Sequence, residues 1–134
     1  MIQVKDVVKS FDGNVVLNHV SATFEDGKVN MIIGQSGSGK TVLMKSMIGL
    51  HQVDEGQIIF DTSGGKQQDL ASMTEKEVRL LHREVGMLFQ GSALFDSMTV
   101  QENVMYPLEM FSDMSKDEMV ARARFCLERV NMPE

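Results

Sequence analysis

The sequence has a single cysteine, Cys126, so no disulfide can close within it. The N-terminal MIQVKDVVKSFD offers no basic segment followed by an apolar run, so the expected compartment is the cytoplasm. No stretch reaches the 18 or more apolar residues of a membrane-spanning helix, so membrane association would come through a partner. Positive charge is also scarce: 13 Lys and Arg against 19 Asp and Glu give a net charge of −6. That balance argues against binding nucleic acid through its backbone, and any phosphate must be held locally.

What is present is globular. Apolar residues make up 43% and charged residues 24% of 134 positions, enough for one domain or part of one. The twelve methionines read as flexible core filling or as a plastic contact surface.

Along the chain, Ile2 to Phe11 reads as a strand, and Val20 to Phe24 alternates as a second, ending in the turn Glu25-Asp-Gly-Lys28. Together they predict an antiparallel edge. Val29 to Ile33 and Val85 to Phe89 are short apolar runs that predict buried strands, and Gln57 to Phe60 predicts another. Thr41 to Leu50 carries a helical apolar stripe with Gly49 near its end. Three capping boxes, Thr74 with Glu77, Thr99 with Glu102 and Ser115 with Glu118, predict three helix starts, with Pro107 expected to interrupt the region after the second.

Gly34-Gln-Ser-Gly-Ser-Gly-Lys-Thr41 fits the phosphate-loop pattern in full, between a predicted strand and a predicted helix. Glycines let the backbone wrap phosphate oxygens, and successive N–H groups with the positive helix end supply the field. Lys40 is expected to reach the β- and γ-phosphates, and the Thr41 hydroxyl to ligate Mg²⁺. The expected nucleotide contacts are Gly34, Gln35, Ser36, Gly37, Ser38, Gly39, Lys40, Thr41 and Val42. No Asn-Lys-x-Asp motif reads a guanine base, so a GTPase is disfavoured, while the loop alone leaves a small-molecule kinase open.

Lys9-Ser-Phe11, Leu17-Asn-His-Val-Ser21, the loop, Asp54-Glu-Gly-Gln-Ile58 and Gly86-Met-Leu-Phe-Gln90 recur in this order in ABC transporter nucleotide-binding subunits. The chain resembles that family over essentially its whole length. Phe89 to Asp96, followed by Thr99 to Val104 and Tyr106-Pro-Leu108, looks most like the Mla-type ATPases of lipid trafficking, the MCE system. The resemblance implies an α/β phosphate-loop fold with an antiparallel edge subdomain, a mainly parallel core and the start of a helical subdomain. Residues 1–90 would be the nucleotide-binding core and 91–134 the beginning of the helical part.

The resemblance also implies roles. Phe11 would stack adenine, or else be an edge-strand core residue; Gln90 would contact Mg²⁺ or the attacking water, or be an exposed loop end. Residues 92–111 would receive a permease, although Leu94 and Phe95 could be ordinary core. His19, His51 and His82 match no catalytic position and are expected to be solvated or to cap helices. Two decoys are set aside: Thr62-Ser-Gly-Gly-Lys-Gln67, which imitates the family's signature as a turn in the wrong place, and Ile58-Ile-Phe-Asp61, which lacks the catalytic Glu. With neither a true signature nor an Asp-Glu strand, the chain reads as the N-terminal part of a subunit, with no complete catalytic set and no turnover alone. ATP and Mg²⁺ are the implied cofactors. A head-to-tail homodimer of the full subunit, a permease and an MCE-type lipid-binding protein are the implied partners, at the inner face of the membrane. The alternatives are a module that binds ATP without hydrolysing it, and an ABC ATPase serving another substrate.

Overall fold

The computed structural model describes residues 1–61, 67–91 and 93–132. They form two compact units, Met1–Met87 and Leu88–Glu134.

The first unit is built on β1 (Ile2–Phe11), β2 (Asn14–Phe24), β3 (Glu55–Asp61) and β4 (Gln67–Asp69), in the order β2-β1-β3-β4 with every pairing antiparallel. β2 begins six residues earlier than the alternation at 20–24 suggests, because Asp12 and Gly13 close a tight hairpin with Phe11 opposite Asn14. Both turn residues have positive φ, 48° and 81°, the geometry that matches the twist of the flanking strands. β1 is central, and its Val4 and Val7 pack with Leu17, Ile58 and Phe60. Helix α1 (Lys40–Met47) lays Leu43 and Met47 on the same cluster, and a 3-10 turn at Leu70–Ser72 precedes α2 (Glu75–Glu84). Burying a Leu- or Val-sized side chain contributes about 1.5–3 kcal/mol, so this cluster is what joins α1 to the sheet.

The antiparallel edge subdomain is therefore present, but the two apolar runs expected as buried strands pair with nothing among the described residues. Val29, Met31 and Ile33 are 95%, 78% and 85% exposed, and only Ile32 of that run packs against the core. Val85 to Phe89 likewise forms no ladder, with Leu88 91% exposed. A strand of a parallel core takes its hydrogen bonds from neighbours on both sides, and the described residues place none there. The methionines divide similarly: Met47 and Met105 are buried, while Met31, Met44, Met110, Met114 and Met132 are exposed.

The second unit contains α3 (Val100–Phe111) and α4 (Lys116–Arg129), which pack together over Met105 and Ala123. Pro107 lies inside α3 and does not end it. A proline costs the helix one backbone bond, and α3 is anchored elsewhere. The Asn103 side chain accepts from the Phe95 amide at 2.8 Å and donates to the carbonyls of Phe95, Met98 and Thr99, tying the incoming loop to the first turns. The capping boxes at Thr74, Thr99 and Ser115 form as their sequences predict. The apparent signature at Thr62 to Gln67 lies, except for Gln67, outside the described residues, as do Ser92, Pro133 and Glu134. No helix among the described residues is long and apolar enough to cross a membrane.

Two of these caps respond to acid. Hydrogen bonds from the Thr99 amide and hydroxyl hold Glu102 below its ordinary carboxylate range, and those from the Ser115 hydroxyl and amide do the same for Glu118. A carboxyl that resists protonation when folded stabilises fully above its unfolded pKa and loses that contribution as pH falls through the lowered folded value. The helical signal is therefore expected to hold from pH 7 to 5 and to weaken below about pH 4. Glu102→Gln/Glu118→Gln should show a shallower acid limb in thermal melts followed by circular dichroism. Identical acid limbs would contradict the assignment.

Candidate functional site

The strand β2 and the helix α1 position the phosphate loop between them. Gly39 is the N-cap of α1 at φ 88°, left-handed and buried, with no side chain to cap the helix. A Cβ there would lie 3.0 Å from the Val16 carbonyl oxygen and 3.2 Å from Leu17, so only glycine combines this backbone with this approach to β2. Gly37 is also left-handed, at φ 78°, and the Ser38 amide donates to the Gln35 carbonyl at 3.2 Å, closing the loop's turn. The result is a tight backbone arc ending at a helix start.

At that start the electrostatics are one-sided. The first-turn amides of Lys40, Thr41 and Val42 have no intrahelical acceptor, and the first turn contains no acidic residue. The other three α-helices among the described residues fill the same need with a hydroxyl and a glutamate. Lys40 Nζ donates to the carbonyls of Gly34 at 2.7 Å and Gln35 at 2.6 Å, so its ammonium is folded over the loop. Thr41 is exposed beside it. Backbone donors, a helix N-terminus and one fixed cation suit an anion with several oxygens. The hydroxyl of Thr41 and the side-chain oxygen of Gln90 are hard oxygen donors of the kind Mg²⁺ takes. Thr41 belongs to the first unit and Gln90, exposed, to the second.

Phe11, at the end of β1, is 38% exposed, so it is no interior core residue. Around it stand residues to which the motif reading gives no role. His51 meets its ring edge-on, and Lys9 lies 5.2 Å from its centroid. Lys9 is paired to Asp54 at 2.7 Å, and this hydrogen bond, with one from the Ser10 amide, lowers the Asp54 pKa. Of the three histidines, His82 contacts the Ile48 carbonyl at the end of α1, and His19 pairs with Asp6 on the surface. His51 departs from expectation in its side chain, which is partly buried against an aromatic ring, while its backbone amide donates to the Lys45 carbonyl at the end of α1. Only its nearness in sequence to the Asp54 motif signalled this. Asp61 lies away from the loop's elements, opposite Gln67 with its amide on the Met1 carbonyl, so the strand ending there is no metal site beside Lys40.

The comparisons with known proteins agree with this geometry. The family model for the ABC transporter matches residues 17–134. The methionine import ATP-binding protein MetN of Clostridium acetobutylicum is 37% identical over 134 residues, all of this chain and 40% of that protein. The phosphonates import ATP-binding protein PhnC of Fusobacterium nucleatum is 33% identical over 98% of this chain and 54% of its own length. The dimeric structure of a bacterial ABC transporter cassette superposes with a TM-score of 0.81 at 28% identity, covering 98% of this chain and 57% of that one. A dimeric post-hydrolysis cassette bound to ADP and Pi gives the same TM-score at 27% identity. The chain thus spans about 40% of the methionine importer and somewhat over half of the cassettes. These relatives are named for importing methionine or phosphonates and lend no support to the narrower likeness to lipid-trafficking ATPases. With the family model covering all but the first sixteen residues and the phosphate loop in place, the chain belongs to the ABC transporter family.

Proposed function

We propose that the protein is the ATP-binding subunit of an ABC transporter, holding Mg-ATP on the loop 34–42 with adenine against Phe11. The observation that carries this is the start of α1. It is the one α-helix among those described with no side-chain cap and no acid in its first turn, and it carries Lys40 there instead. Thr41 and Gln90 would hold Mg²⁺, which when bound neutralises phosphate charge. The chain's own groups bind and orient: backbone amides grip phosphate oxygens, Lys40 moves from loop carbonyls to the terminal phosphates, and Phe11 fixes the base.

Hydrolysis belongs, in this reading, to the whole protein as a head-to-tail dimer. The signature and the Asp-Glu strand that phosphoryl transfer needs do not occur in these 134 residues. The related cassettes solved as dimers, one with ADP and Pi, support assembly as a dimer. Residues 92–111 would dock a permease, placing the subunit at the cytoplasmic membrane face. The exposed Leu94 and the half-exposed Phe95, held against Tyr106 at 4.7 Å, support this. A phospholipid cargo and an MCE-type partner rest on the resemblance of 89–108 alone, and the permease that copurifies with the protein would decide them.

Lys40→Ala should weaken Mg-ATP binding by about 1.5–3 kcal/mol, roughly ten- to a hundredfold in Kd, because it removes a charge-assisted contact. Calorimetric titration giving wild-type affinity for the variant would remove the phosphate-loop assignment. Photo-crosslinkers placed at positions 94, 95 and 110 of the assembled transporter should capture permease loops. Capture of no permease segment from any of the three would contradict the docking reading.

A further inference from the structure

Phe11 is held by a short segment that links the far end of α1 to β3. His51 meets its ring with centroids 5.3 Å apart and planes at 75°. Three residues on, Asp54 binds the Lys9 ammonium with one carboxylate oxygen and accepts the Ser10 amide with the other, at 2.7 and 2.6 Å. The Asp54 amide then donates to the Val8 carbonyl at 2.9 Å, and Lys9 lies over the Phe11 ring. Residues 51–54 therefore touch all four of the last residues of β1: Val8 and Ser10 through backbone, Lys9 through charge and Phe11 through its ring. The same segment is joined through α1 to the phosphate loop at the other end of that helix.

A half-exposed aromatic at a strand end would otherwise sample several staggered side-chain wells, and binding a base would have to select one of them. We propose that His51 is a positioning residue for the base platform: its edge-on contact confines the Phe11 ring to the orientation that receives the base of a nucleotide. This rests on the proposed nucleotide reading and adds to it a residue that contacts no phosphate. His51 also borders a cavity of about 220 Å³ lined by Gly49, Val53, Ile58 and Leu70 among others, so open space lies beside the residue. His51→Phe then keeps an aromatic edge against Phe11 without the imidazole nitrogens.

The test compares Mg-ATP with Mg-tripolyphosphate, which presents phosphates but no base, by calorimetry on the protein and its variants. His51→Ala should weaken ATP binding about two- to tenfold, the range of an edge-on aromatic pair, and leave tripolyphosphate unchanged. His51→Phe should restore ATP to within about twofold of wild type, since it keeps that aromatic pair. Phe11→Ala should weaken ATP more than His51→Ala does, and the double variant should lose nothing beyond Phe11→Ala. Unchanged ATP affinity in His51→Ala, an equal loss for tripolyphosphate, or failure of His51→Phe to restore binding would overturn the role of His51. An ineffective Phe11→Ala beside a damaging Lys40→Ala would overturn the platform and leave the phosphate loop standing. A wild-type protein that binds neither compound would overturn the nucleotide reading itself.

Discussion

The contact of Gly39 with the backbone of β2 is the constraint on which the rest of the site depends. A left-handed residue at the helix start turns the chain from the loop into α1, and its lack of a side chain lets that turn sit against Val16 and Leu17. Leu17 belongs to the core, as do Leu43 and Met47 on α1, so the loop is fastened at its downstream end to the best-packed part of the unit. β1 shares that core and ends in Phe11. The loop at 34–42 and Phe11, the proposed aromatic platform, are therefore two outgrowths of one packed cluster. Substrate-binding loops commonly work this way, with mobile-looking backbone set on a rigid scaffold.

The charge pattern follows from the same arrangement. A net charge of −6 offers anions no general attraction, so the proposed phosphate site would have to act within the first turn of a helix, where screened fields still matter. Leaving α1 without a glutamate cap and giving it Lys40 does this locally. The Lys40 ammonium donates to two loop carbonyls, which holds its charge over the loop. The other described α-helices carry ordinary capping boxes.

Local signals were the legible ones. The loop, the three capping boxes and the first strand are set by residues within a few positions of one another, and the structure places them where the sequence does. The hairpin at Asp12-Gly13 carried a usable signal, two residues suited to positive φ, that the alternation of β2 obscured at its start. The failures are long-range. An apolar run such as Val29 to Ile33 says that it wants burial, but its neighbours in a parallel sheet come from distant sequence, and the described residues supply none. His51 fails for the same reason in miniature, because its partner lies forty residues earlier and meets it only once β1 and β3 have paired. Pro107 shows the converse: a strong local breaker overridden by the capping box and the Asn103 bonds at the start of α3.

The central claim is that residues 34–42 form a preset cradle that closes on the phosphates of a nucleotide while the underlying sheet stays as it is. Hydrogen exchange of the protein with and without Mg-ATP tests this most directly, since the loop and first-turn amides would gain acceptors. The account predicts slowed exchange across peptides covering 34–42 and no change in β1 before Phe11 or in β3. Unchanged exchange at 34–42 under saturating Mg-ATP, or protection confined to other segments, would contradict it.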